Sequence, residues 1–175
     1  MALMQVENTP ISRGPIDKGP GMQYLTYTLG DEVFAMDIRA VREIIQYSVM
    51  TVVPLMPAFV RGVINLRGQV VPVIDLQSRL GRSTATVGKK TCIIIFDASR
   101  EGDKLELGLM VDAVSEVVDI PDTDIELPPQ FGASIRRDFI RGMAKLGGVF
   151  IVILEPERAL NVEDMAMLTE QVQAV

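Results

Sequence analysis

Slid along itself by 80 positions, this chain repeats. Phe59–Leu80 (FVRGVINLRGQVVPVIDLQSRL) lies on Phe139–Leu160 (FIRGMAKLGGVFIVILEPERAL) without a gap. Six positions are identical: Phe59/Phe139, Arg61/Arg141, Gly62/Gly142, Leu66/Leu146, Gly68/Gly148 and Leu80/Leu160. Several of the others exchange one aliphatic residue for another. Upstream, Ala40–Ile45 (AVREII) matches Ala113–Val118 (AVSEVV) at an offset of 73. A Pro-rich stretch, Pro54–Pro57 or Pro128-Pro129, follows each copy. A β unit of about 70 residues that occurs twice predicts two stacked subdomains related by pseudo-symmetry. Grooves between such halves are common binding sites.

The segments have strand character. Tyr24–Leu29 alternates, is rich in β-formers, and is followed by the turn signal Gly30-Asp31, with Val33–Met36 as its hairpin partner. Val41–Ile45, Val70–Asp75, Thr91–Asp97, Leu105–Val111, Glu116–Ile120 and Val149–Glu155 continue the series, with Gly, Pro and Asp turns between them. Many short strands at this spacing point to a small barrel or a sandwich. Helices are few. Asp37–Glu43 is expected to make one or two helical turns, and Asn161 caps a terminal helix with Met165, Leu168 and Val172 on one stripe. The resulting division is a flexible tail over 1–21, a first subdomain over about 22–86, a second over about 87–160 with strand exchange allowed, and a helix over 161–175.

Composition removes whole classes of function. The 175 residues include no His, one Cys and no Trp, and the net charge is −6. Without His there is no Ser-His-Asp or Cys-His nucleophile and no His-ligated metal. The lone Cys92 excludes a disulfide framework and suits a reducing compartment. An acidic chain with 5% aromatics lacks the basic, stacking face that nucleic acid requires. The longest apolar runs, Cys92–Phe96 and Val149–Leu154, have the length of buried strands and fall short of a spanning helix. No secretory h-region precedes the first strand, so a cytoplasmic location is expected, with no cofactor and no insertion into membrane.

Other candidate chemistry is thin. Gly14–Gly19 has phosphate-loop spacing, but Pro20 stands where Lys belongs. Cys92 reads as a small buried hydrophobe. Asp75, Asp97 and Asp112 end or interrupt apolar strands, where carboxylates more often accept backbone N–H groups than work as an acid/base pair. One difference between the copies stands out. The hairpin tip Lys145-Leu146-Gly147-Gly148 is replaced by Asn65-Leu66-Arg67-Gly68, putting Arg67 where a positive φ is favoured. A residue held against local preference is a candidate for a side-chain role.

Gly62–Leu76 (GVINLRGQVVPVIDL), Val111–Ile120 (VDAVSEVVDI), Ile125–Phe131 (IELPPQF) and Ile140–Gly148 (IRGMAKLGG) together resemble the CheW-type chemotaxis coupling proteins. The similarity runs from about Gln23 to the chain end; Glu155-Pro156 departs from the family pattern and should stop its strand early. The resemblance implies an all-β fold of two SH3-like five-stranded barrels with a short helix and a C-terminal helix. It implies a non-catalytic adaptor between chemoreceptor cytoplasmic hairpins and the regulatory domain of a CheA-type histidine kinase, within membrane-associated arrays. Carried over by position, the receptor-binding residues are Val41, Glu43, Ile44, Gly62, Asn65, Arg67, Val114 and Val117. The apolar four would receive a helical hairpin, with Glu43 and Arg67 at the rim. The kinase-binding residues are Met50, Pro57, Arg61, Gly68 and Val70, with Phe131 as an anchor for a second kinase contact.

Overall fold

The computed structural model describes residues 21–83, 85–99, 104–127 and 139–160. The chain enters β1 (Gly21–Leu29), turns at Gly30-Asp31 and returns as β2 (Glu32–Asp37), with Leu29 facing Glu32. The Asp37 side chain accepts the Arg39 N–H and caps a 3₁₀ turn over Ile38–Ala40. The helical segment stops there, shorter than expected. From Val41 the β-branched residues pair with a neighbouring strand instead, and that pairing overrides a marginal helix. The remaining strands are β3 (Val41–Gln46), β4 (Val60–Leu66), β5 (Gln69–Asp75), β6 (Cys92–Asp97), β7 (Glu106–Val111), β8 (Ala113–Pro121), β9 (Ile140–Leu146) and β10 (Val149–Leu154). A one-turn helix, α1 (Leu76–Arg79), follows β5, and α2 (Pro156–Leu160) follows β10. Pro156 ends the strand and opens the helix at its first position, where its missing N–H is harmless.

The strands form two sheets, ordered β3-β6-β7-β5-β4 and β8-β1-β2-β10-β9. These orders correspond term by term. The 73- and 80-residue overlays place β8 on β3, β9 on β4 and β10 on β5. The hairpin β1–β2 therefore stands where β6–β7 stands in the other sheet. The one parallel pairing also recurs, β5 with β7 and β10 with β2. Each sheet thus draws strands from both sides of residue 86. Pairing runs from one outer strand to the other in each sheet without closing a ring among the described residues.

Both faces of each sheet are buried, which explains the unbroken apolar runs. In β6, Cys92, Ile94 and Phe96 enter a core shared by the two sheets, while Ile93 and Ile95 enter a local core with Ile64, Val71, Val73 and Met110. In β1, Leu25, Tyr27 and Leu29 enter the shared core; Tyr24 joins a second local core with Ile120, Ile151 and Ile153. Fully burying each such side chain contributes about 1.5–3 kcal/mol. Arginines span the junction: Arg82 reaches Glu32 and the Phe34 ring on β2, and Arg79 lies between the halves. The Arg79 guanidinium lies 4.9 Å from the Phe59 ring centre and 5.4 Å from that of Phe139, and its Nε donates to the Ala159 carbonyl at 2.6 Å. Phe59 and Phe139 are overlay equivalents, as are Arg79 and Ala159, so a single arginine serves both halves.

The shared Arg and Gly also have physical reasons. Arg61 Nη1 lies 3.5 Å from the buried Asp75 carboxylate, and Arg141 Nε lies 3.8 Å from Glu155, again 80 positions on. Gly62 lies beneath the segment before β4, and Thr51 and Val63 exchange main-chain hydrogen bonds of 3.0 and 2.8 Å above it. Gly142 lies the same way beneath Glu126, which exchanges such bonds with Met143 at 2.8 Å.

Candidate functional site

The β4–β5 turn is the two-residue loop Arg67-Gly68, with φ of 52° and 82°; its equivalent Gly147-Gly148 has 57° and 81°. Arg67 therefore occupies the left-handed conformation that glycine takes in the other copy, at a cost of about 1 kcal/mol. Asn65 Oδ1 accepts the Gly68 N–H at 3.0 Å and holds the turn in place. The Arg67 side chain runs to β3, where Nη1 donates to Glu43 Oε1 at 2.5 Å. With side chains 64% and 28% exposed, this pair contributes about 0.2–1 kcal/mol, no more than the strain it accompanies. Fold stability alone does not explain Arg67.

Around this pair lies a charged depression of about 810 Å³ that also includes Arg42, Asp97 and Gln69. Arg42 Nη2 reaches Asp97 Oδ2 at 2.6 Å. Hydrogen bonds from Ser99, reinforced by Arg42, hold the Asp97 carboxyl below its ordinary range. The rim is thus lined by charges of both signs, already paired, which favours orientation of a partner over raw affinity.

Val41 and Ile44 on β3 and Val114 and Val117 on β8 are half-buried and pack on the margin of the shared core. They are equivalents at the 73-residue offset, presented by the outer strand of each sheet. Glu116, the equivalent of Glu43, has no arginine at the neighbouring tip. Its main chain instead exchanges hydrogen bonds of 2.7 and 3.1 Å with the Thr26 hydroxyl, at an irregularity of the β1–β8 pairing. Of the eight receptor-side positions, the structure joins Glu43, Asn65 and Arg67 at one tip and sets the four apolar residues on the core margin. Gly62 is buried beneath Met50 and Thr51.

On the other proposed surface, Met50 is half-buried against the local core of its sheet, Pro57 is exposed, and Val70 flanks the turn. Gly68 is exposed at the tip. Arg61 turns inward, donating to the Ala85 carbonyl at 3.3 Å beside Asp75. Phe131, the tail before Gly21 and the terminal helix lie outside the described residues.

Two exposed apolar groups escape a reading by sequence alone. One is Val49, Val52 and Leu55 on the segment crossing β4; the other is Leu127, Val149 and Phe150 beside β9, next to a depression of about 870 Å³. A signal for the second was available, since Phe150 is the overlay equivalent of Val70. Lys145 Nζ lies 5.4 Å from the Phe150 ring centre.

The three strand-end aspartates accept main-chain N–H groups. Asp75 takes Ser78 and Ala85 (3.3 and 2.9 Å), Asp97 takes Ser99 (2.9 Å) and Asp112 takes Gly30 (2.7 Å). Burial pushes the Cys92 thiol up, away from the thiolate. Among the described residues no cluster has the makings of a metal site, and no helix is long and apolar enough to cross a membrane.

Comparison with known proteins places these features in context. The CheW-like domain profile matches residues 23–164. The chemotaxis protein CheW of Klebsiella aerogenes is 30% identical over 148 residues, covering 85% of this chain and 87% of the relative. That of Rhizobium meliloti is 35% identical over 144 residues, covering 82% and 90%. Among solved structures, the scaffolding protein TtCheW from Thermoanaerobacter tengcongensis superposes with a TM-score of 0.70 at 33% identity, covering 82% of this chain and 90% of that one.

Proposed function

Since the chain belongs to the CheW-like family, we propose that it is a non-catalytic chemotaxis adaptor that couples chemoreceptor cytoplasmic hairpins to the regulatory domain of a CheA-type histidine kinase. The observation that carries this reading is Arg67. It is held in a left-handed turn where its equivalent is glycine, and it is aimed at Glu43 on the outer strand. That arrangement adds little to the fold and puts a fixed pair of opposite charges beside half-buried Val41 and Ile44. A helical hairpin laid on the core margin would meet apolar side chains, with Val114 and Val117 contributed by the second sheet, and would be set in register by the charged rim. The kinase side is a separate surface around Met50, Pro57, Gly68 and Val70, with Phe131 as a further contact. Arg61 supports that surface from within through Asp75. The protein works in the cytoplasm, associated with receptor arrays through its partners, and each modest contact gains avidity from the array.

Calorimetric titration with the isolated kinase regulatory domain and with a receptor cytoplasmic fragment tests this. Micromolar binding of both is expected, with Met50→Asp abolishing the first and Arg67→Glu the second. Equal loss of both partners in either folded variant would sink the separate-surface reading.

A further inference from the structure

The exposed apolar face of the second sheet lies beside the point where the chain enters that sheet. Leu127, Met143 and Phe150 line its depression, with Leu127 and Phe150 79% and 62% exposed and Val149 exposed next to them. Asp124 and Glu126 line it too, and Asp122 opens the 3₁₀ turn Asp122–Asp124 at its margin. Lys145, the cation of this lining, is spent on the Phe150 ring. Among the described residues no ion pair reaches Asp122, Asp124 or Glu126. An apolar floor with an uncompensated acidic rim fits an occupant that carries apolar and basic side chains together.

β1 opens against this rim. Gly21 pairs with Pro121, so closely that a Cβ on Gly21 would stand 3.0 Å from the Pro121 Cα. The antiparallel register from Leu25–Val117 to Gly21–Pro121 directs the preceding chain toward the 3₁₀ turn, and counted three residues further it sets position 18 level with Asp124. The sequence there is Ile11-Ser12-Arg13 and Ile16-Asp17-Lys18, each isoleucine followed two places on by a cation, with one acid among them. In extended chain, residues two apart share a side, so each pair presents one apolar and one basic group together. At ~3.3 Å per residue, Ile16 and Ile11 reach up to roughly 16 and 33 Å from Gly21. The tether also gives modest contacts a high effective concentration. The other exposed apolar group, Val49, Val52 and Leu55, has neither feature: Ser48–Ala58 contains no carboxylate, and it bridges to the other sheet.

We propose that Ile11–Lys18 is an intramolecular ligand of this face. Ile11 and Ile16 cover Leu127, Met143 and Phe150, while Arg13 and Lys18 pair with Asp124 and Glu126. The segment thereby controls access to a surface otherwise open to a partner or to a second copy. No other protein takes part in this contact, so it stands apart from the adaptor reading.

Paramagnetic NMR on the full-length protein tests it, with a nitroxide on Ser12→Cys and Cys92→Ala leaving a single thiol. The label should strongly broaden the methyl signals of Leu127, Met143 and Val149 and leave those of Val52 and Leu55 sharp. An unshifted Ile94 methyl reports an intact core. Ile11→Glu with Ile16→Glu should reduce the broadening several-fold. Arg13→Asp with Lys18→Asp should do the same, and adding Asp124→Lys and Glu126→Lys should restore it. Signals near Leu127 that stay sharp overturn the proposal, as does broadening that survives both pairs of substitutions. Broadening that passes from labelled to unlabelled molecules in a mixture assigns the face to a second copy and overturns it too.

Discussion

The Arg67 guanidinium meets the Glu43 carboxylate at 2.5 Å from a backbone conformation that Gly147 adopts in the other half of the chain. Backbone strain and surface charge are therefore joined in one residue, and substitution can separate them.

Arg67→Gly and Arg67→Ala both delete the charge, but only the first relieves the left-handed turn. The glycine variant should be about 1 kcal/mol more stable than the alanine variant by urea unfolding, while both lose receptor binding to the same extent. Equal stabilities would mean that the turn is not strained in solution.

Arg61 behaves differently because its partner is buried. Asp75 is 1% exposed and retains the Ser78 and Ala85 N–H groups when Arg61 is removed, so Arg61→Ala should cost about 1–3 kcal/mol. The urea midpoint should drop well before binding is considered. A variant of wild-type stability with reduced kinase affinity would instead make Arg61 a direct contact.

Arg79 should matter to both halves at once. Its two ring contacts are worth about 0.5–2 kcal/mol each where shielded, so Arg79→Ala should lower stability by about 1–3 kcal/mol. Arg79→Lys, which cannot lie flat between Phe59 and Phe139, should recover only part of that loss. Complete recovery by lysine would show that charge alone matters there.

Acid should weaken the charged rim in a defined direction. The Asp97 carboxyl is held below its ordinary range by Ser99 and then Arg42; at Asp37 burial acts upward, but the hydrogen bonds from Arg39 outweigh it. With the folded values depressed, the unfolded chain binds more protons across the interval. The stabilisation is complete above about pH 4 and is lost as pH falls through the folded values. The stability gap between wild type and Asp97→Asn should accordingly be present at about pH 7 and shrink steadily below about pH 4. A gap that grows on acidification would contradict this sign.

Much of this was readable from residues. The hairpin before Gly30-Asp31 followed from alternation, and Arg67 declared itself because Gly147 stands in the same register. The pairs Arg61–Asp75 and Arg141–Glu155 can also be picked out in the overlay, as an arginine and an acid at matching separation, although the overlay does not tell that the acid of the first pair is buried and that of the second is not. Sheet membership was less accessible. The repeat covers β3–β5 and β8–β10, while β1–β2 and β6–β7 share a role without sharing a sequence, because a strand buried on both faces requires only apolar bulk. The close approach over Gly62 was hidden for a related reason. A glycine demanded by close approach looks, in sequence, like one demanded by a turn, and only the position of Thr51 distinguishes them. The asymmetric service of Arg79 was invisible, since the overlay sets it against an alanine.

The strand order has a consequence for how the protein is made. The first sheet is contiguous from Val41 to Val111, but the second begins with a hairpin finished at Asp37 and ends at Leu154, more than a hundred residues later. At about 5–20 residues per second, that hairpin leaves the ribosome on the order of ten seconds before its last partner strand. Until β8 emerges and pairs with β1, the hairpin β1–β2, apolar on both faces, has only itself and the growing first sheet, and β2 waits for β10 to the end of the interval. A chain cut after Val111 holds one complete sheet and an orphaned hairpin, so the latest strands to be synthesised are the ones that give the earliest a home.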